Sequence, residues 1–197
     1  MGIRRTSLAI AGTISAAISS AAVALFAASF VIVAERGILR AIQLHTFESA
    51  VVGVAGQIVA IVLCTFALTS ARTARRTLGS LAIAALTTAV SLGLLFVLFI
   101  GLWTAAQGIC DVEGCEPGFW QIYGWVVLIA LAVFLAAAAL FATLNRAAPA
   151  RDTAIRIGLL LLSAIPFLTV LGLAGTLVLT RRDNAAATEA ERELVDA

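Results

Sequence analysis

The run Ile157–Arg182, IGLLLLSAIPFLTVLGLAGTLVLTRR, poses the question on which the fold turns. Its first 24 residues carry no charge, so the run is long enough to cross a bilayer, whose ~30 Å hydrocarbon core needs about 20 apolar residues as helix. Yet Pro166 interrupts it, and Arg181 and Arg182 close it. A proline inside a helix removes one backbone hydrogen bond and kinks or breaks the helix. A pair of arginines directly after a span favours the cytoplasmic side.

Four further stretches free of Asp, Glu, Lys, Arg and His precede it: Thr6–Ala34, Ser49–Ala71, Thr77–Cys110 and Pro117–Asn145. The parts expected in lipid are about 8–33, 50–69, 81–105, 122–143 and 158–179. The whole chain has 197 residues, is 62% hydrophobic and only 12% charged, and has a mean hydropathy of +1.09. A soluble domain of this size leaves too much surface exposed to hide that much apolar material. Spanning strands would alternate over about ten positions. These runs are apolar on every face and twice as long, and Ala and Leu favour helix. Helices also satisfy their own backbone groups, as lipid requires.

The expected fold class is therefore an all-α integral membrane protein, a bundle of five transmembrane helices. The alternative is four spans plus a re-entrant or interfacial fifth segment, bent at Pro166. Residues 1–180 form the single bundle, and 181–197 a polar tail that is either disordered or a short helix opened by Thr188 and Glu191 at capping-box spacing. Arg4 and Arg5 ahead of an apolar run, then Ala22-Val23-Ala24, resemble a secretory signal. The run is too long for one, and a retained first helix is expected.

Charge sets the expected orientation. With the N-terminus cytoplasmic, Arg4, Arg5, Arg72, Arg75, Arg76, Arg146, Arg151 and Arg156 all fall inside, as the distribution of basic residues in multi-pass proteins demands. The third loop, with Asp111, Glu113 and Glu116, falls outside. Five spans then leave Arg181 and Arg182 on the wrong side; a re-entrant fifth segment returns them. The membrane would be a plasma membrane or one of the secretory pathway.

The third loop also holds Cys110 and Cys115. Outside the cell such a pair persists as a disulfide, and Gly114 between them permits a tight turn. The spacing is not that of a redox-active Cys-X-X-Cys pair. Trp103, Trp120, Tyr123 and Trp125 flank the loop and predict an interfacial aromatic belt. His45, the only histidine, together with Glu48, Asp111, Glu113 and Glu116, forms the sole candidate catalytic set. Catalysis would need these groups within hydrogen-bond reach of one another.

No metal-ligand spacing, cofactor motif or nucleic-acid-binding pattern is present in the sequence. No ionisable residue lies deep in any span, which argues against a proton relay or ion path. Gln57 is the strongly polar side chain expected deep in lipid, bonded across to another helix. Small residues at close spacing (Ser20, Ala24 and Ala28; Gly56 and Ala60; Ala132 and Ala136; Gly172 and Gly175) mark expected packing faces. The functional expectation is a non-enzymatic protein acting through helix–helix or outer-loop contacts. Its partners would be membrane lipids, and another membrane protein or a second copy of itself. The alternatives are a membrane-embedded enzyme for a lipophilic substrate and a small carrier for an uncharged solute.

Overall fold

The computed structural model describes residues 2–31, 46–69, 74–106, 117–146 and 148–196. Six helices account for nearly all of them: α1 Gly2–Val31, α2 Thr46–Leu68, α3 Ala74–Ala106, α4 Pro117–Leu144, α5 Ala150–Ala164 and α6 Thr169–Asp196. The first four contain the stretches Arg5–Ser29, Phe47–Leu68, Ala74–Gly101 and Tyr123–Leu144, each long and apolar enough to cross a membrane.

In lipid no hydrophobic drive separates helix from solvent, so packing depends on close backbone approach and hydrogen bonds. The α1–α2 pair shows both. Ser15 Oγ donates to the Gly56 carbonyl at 2.9 Å, and Ser19 Oγ to the Gly53 carbonyl at 2.6 Å. A Cβ on Gly56 would stand 3.2 Å from the Ser15 carbonyl oxygen and 3.0 Å from Ser19 Cβ, so the backbones meet here because glycine leaves room. The buried face of α1 includes Ala9, Ala16, Ser19 and Val23. It is not the Ser20–Ala24–Ala28 stripe expected from spacing, in which Ala24 is exposed. Ala132 and Ala136 likewise face outward; α4 packs instead through Phe134, Ala137 and Phe141. A helix apolar all round carries no moment to set its rotation, and small residues alone misplace the face.

The fifth apolar segment is not one spanning helix. It breaks at residues 165–168 and folds back as a hairpin of α5 and α6. Ile165, the residue before Pro166, is extended (φ −84°, ψ 120°), as the proline ring demands of its predecessor. Phe167 follows with φ 69°, the single positive-φ non-glycine residue among those described. Leu168 N–H bonds the Ile165 carbonyl at 3.1 Å. Proline followed by a left-handed residue, closed by that bond, is the pattern of a type II turn. So Pro166 makes a corner rather than a kink.

The two arms then touch along their length. A Cβ on Gly172 would lie 2.7 Å from Ser163 N and 2.8 Å from the Leu159 carbonyl oxygen. Residues 13 apart in one straight helix would be about 20 Å apart. Farther along, Arg156 Nη2 meets Asp183 Oδ2 at 2.8 Å. The α5 arm has 15 residues and is about 22 Å long, short of the ~30 Å hydrocarbon core.

The hairpin's open end lies where α1 begins. Asn184 Nδ2 donates to Thr6 Oγ1 at 3.0 Å, and Arg156 Nη1 donates to the Leu68 carbonyl at 2.9 Å, capping the last turn of α2. Ser80 Oγ donates to Thr69 Oγ1 at 2.8 Å, which brings the start of α3 to the same end. The tail differs from the sequence expectation too. α6 runs unbroken to Asp196, and Thr188 Oγ1 bonds back to the Asn184 carbonyl at 3.0 Å as an interior helical threonine, not as a cap.

Candidate functional site

A turn that interrupts a helix leaves backbone carbonyls without partners, and each that is buried costs free energy unless another group reaches it. Pro166 has no N–H, and Phe167 turns out of helical conformation, so the carbonyls of Leu162 and Ser163 lose their helical donors. The Ser163 carbonyl is served instead by two side chains. Gln57 Nε2 donates to it at 3.2 Å and Thr169 Oγ1 at 3.1 Å.

Around that carbonyl a polar cluster joins five helices. Gln57 Nε2 also reaches Ser91 Oγ of α3 at 3.0 Å and Thr169 Oγ1 of α6 at 2.7 Å. Thr169 Oγ1 lies 3.1 Å from Gln57 Oε1 and 3.1 Å from the Ile165 carbonyl. Ser19 Oγ of α1 lies 3.4 Å from Gln57 Oε1. Ser163 Oγ turns back to the Leu160 carbonyl at 2.7 Å. Ser19, Gln57, Ser91, Ser163 and Thr169 are each at most 2% exposed. Two turns toward the hairpin's open end, Cys64 Sγ meets Thr176 Oγ1 at 3.4 Å, and Thr176 Oγ1 bonds the Gly172 carbonyl at 2.8 Å.

The chemistry of this cluster is neutral throughout: an amide, hydroxyls and carbonyls, with no acid, base or activated nucleophile. It holds a broken helix closed where α1, α2 and α3 meet the hairpin. The expectation that Gln57 bonds to another helix is met, and exceeded. The spacing of Ser91, Ser163 and Thr169 gave no warning that one amide would gather them.

The open end carries a second polar system. Arg156 spans the Leu68 carbonyl and Asp183, while its buried Nε has no partner. Beside it Thr69, Arg76, Ser80, Leu144 and Asn145 line a notch of about 10 Å³, room for one water-sized group.

Of the candidate catalytic set, Glu48 sits in the first turn of α2, where a negative charge suits the helix dipole. His45, Asp111, Glu113 and Glu116 lie outside the described residues, as do Cys110 and Cys115 with the expected disulfide. Trp103 falls near the end of α3 and Trp120 near the start of α4. Tyr123 is half-buried and Trp125 is 66% exposed. All four aromatics therefore belong to the end of the bundle opposite the Arg156 system. Among the described residues no group of three or more His, Cys, Asp or Glu is placed to hold a metal ion. Comparison with known proteins finds no matching family model, no similar curated protein and no similar solved structure.

Proposed function

We propose that the chain is a multi-pass membrane protein of four full spans and a re-entrant C-terminal hairpin. It is non-enzymatic and acts through its lipid-facing helix surfaces and outer loop on lipids, another membrane protein or a second copy of itself. The observation that carries this is the closed Gln57 cluster. The polar groups gathered at mid-depth are engaged in holding the hairpin, which leaves the outer surfaces for function. Those surfaces include an apolar face of α4 in which Leu128, Ile129, Leu131 and Leu135 are all exposed.

The proposed orientation has the N-terminus cytoplasmic. Arg5, Arg75, Arg76, Arg146, Arg151, Arg156, Arg181 and Arg182 lie on elements that meet at one end, and such an excess favours the cytoplasm. The reversal at Pro166 removes the conflict that five spans would create for Arg181 and Arg182. On the opposite side the proposal keeps a Cys110–Cys115 disulfide and the aromatic belt.

A solute carrier needs polar groups that open to a cavity. Gln57 at 2% exposure, with its amide bonded to α3 and both hairpin arms, speaks against that role. Cross-linking from a photoreactive residue at Leu131 of α4, in native membranes, tests the partner role. One protein adduct of fixed mass is expected. Adducts to lipid alone, there and at Leu135, would count against it.

A further inference from the structure

Hydrogen bonds fasten the hairpin to the helices around it at two places. At the tip, Gln57 bonds the Ser163 carbonyl and Thr169, all of them buried. At the base, Arg156 Nη1 donates to the Leu68 carbonyl of α2, and Asn184 Nδ2 to Thr6 Oγ1 of α1. We propose that the hairpin is a lid hinged at its tip. When its base swings away from α1 and α2, water from the basic end enters the seam as far as Cys64 and Thr176. The inference rests on the re-entrant path of α5 and α6, and not on the protein being non-enzymatic.

The seam between the two fastenings is polar, yet its hydroxyls bond within their own helices. Thr65, next to Cys64 on α2, donates to the Ile61 carbonyl at 2.9 Å. On α6, Thr176 donates to the Gly172 carbonyl at 2.8 Å and Thr180 to the Leu177 carbonyl at 3.0 Å. All three threonines are buried. With the Thr176 hydrogen spent on Gly172, its 3.4 Å contact with Cys64 leaves the thiol as donor, and a thiol is a weak one. Parting the base therefore breaks no strong bond inside the seam. It uncovers hydroxyl oxygens that accept from water while keeping their helical bonds. Leu173, close against Gly12 of α1, meets water at the same time. That exposure opposes opening and keeps the lid shut at rest.

The lid moves as one body. Gly172 lets α5 and α6 meet at backbone distance, and Arg156 Nη2 ties their far ends through Asp183 at 2.8 Å. That ion pair is internal to the hairpin, and it holds the guanidinium toward Leu68. The base bonds lie next to water: the Asp183 side chain is 36% exposed, and Leu68 ends α2. Water can thus take the Leu68 carbonyl once Arg156 leaves it, as at any helix end. Cys64 stands four residues from Leu68, about 6 Å along the helix. One turn of separation reaches it, while the Gln57 cluster, two turns deeper, stays closed.

The reactivity of Cys64 tests this. The full chain carrying Cys110→Ser and Cys115→Ser is reconstituted with one orientation in phosphatidylcholine vesicles. A membrane-impermeant, positively charged methanethiosulfonate is added to either face. Slow modification of Cys64 from the basic face, and none from the other, is expected. Arg156→Gln should speed it roughly tenfold and Asn184→Ala about fivefold, the change in open population for losing one charged or one neutral hydrogen bond. Arg182→Gln removes the same charge at the same end, outside both contacts, and should leave the rate nearly unchanged. Asn184→Ala keeps the test decisive should Arg156→Gln fold poorly. A rate that neither base variant moves overturns the proposal. So does equal speeding by Arg182→Gln, which would mean an effect of charge on the reagent, or modification from both faces, which would mean a loosened bundle. A single cysteine at Ala186, labelled in parallel, checks the path of the hairpin separately.

Discussion

The amide of Gln57 donates to the backbone carbonyl of Ser163 across 106 positions of sequence, at 3.2 Å. That bond replaces one that the turn at Pro166 removes from α5. Truncating Gln57 therefore withdraws a donor from a carbonyl with no access to water.

Gln57→Leu keeps the volume and deletes the amide. It should lower stability in detergent by about 1–2 kcal/mol, the upper part of the range for hydrogen bonds between membrane helices. Unfolding in mixed micelles of graded denaturing strength measures it. Thr169→Val alone should cost less than that. The double variant should cost less than the sum, because the two side chains bond each other at 2.7 Å and either change already loses that bond. Strict additivity would show that they do not share it.

Gly172 marks the closest approach of the hairpin arms. Gly172→Ala forces a Cβ against Ser163 N and the Leu159 carbonyl, both backbone atoms that cannot rotate away. A loss of about 1–3 kcal/mol is expected, as for other overpacked sites. Gly158→Ala on α5 is the control. A Cβ there meets nothing within 4 Å, and its stability should hold or rise slightly, since alanine is the better helix former.

Phe167 pays for its left-handed backbone with strain that glycine would not carry. Phe167→Gly should stabilise the turn by about 1 kcal/mol, less whatever its half-exposed ring gains from lipid. Phe167→Val, β-branched and no better suited to positive φ, should destabilise. The same unfolding measurement compares the two; a valine variant more stable than the glycine variant would argue that residue 167 is not left-handed in the membrane.

Topology gives the most direct check. In a background lacking the native cysteines, single cysteines at Ser7 and Ala186 should react with a membrane-impermeant maleimide from the same face. A fifth full span would put them on opposite faces. In the native chain Cys110 and Cys115 should label only from the other face, and only after reduction.

What the sequence made legible follows from what lipid demands. Hydropathy announces spans, because each must be apolar along its whole length, and the four helices overlap the expected stretches closely. Pro166 with Arg181 and Arg182 posed the alternative of a returning fifth segment, since a helix breaker and a misplaced charge pair both argued against crossing. The face of α1 was not legible. Ser19 rather than Ser20 meets α2, and an all-apolar helix has no periodicity to tell them apart. The Gln57 cluster was half legible: a deep amide needs a partner, but which hydroxyls gather around it depends on where the chain reverses. The third loop's chemistry rests on residues 107–116, outside those described.

The hairpin also dictates an order of assembly. Its tip is held by Gln57, which Ser19 and Ser91 brace, groups delivered by the first three helices, and its outer arm lies along α1 through Asn184 and Thr6. In a newly made chain every residue of that socket is synthesised before Pro166 leaves the ribosome. Once it does, the tip can enter only where a ready-made donor waits for the Ser163 carbonyl. The hairpin thus reports whether the earlier helices have come together, and a bundle that fails to close around Gln57 has nowhere to lodge it.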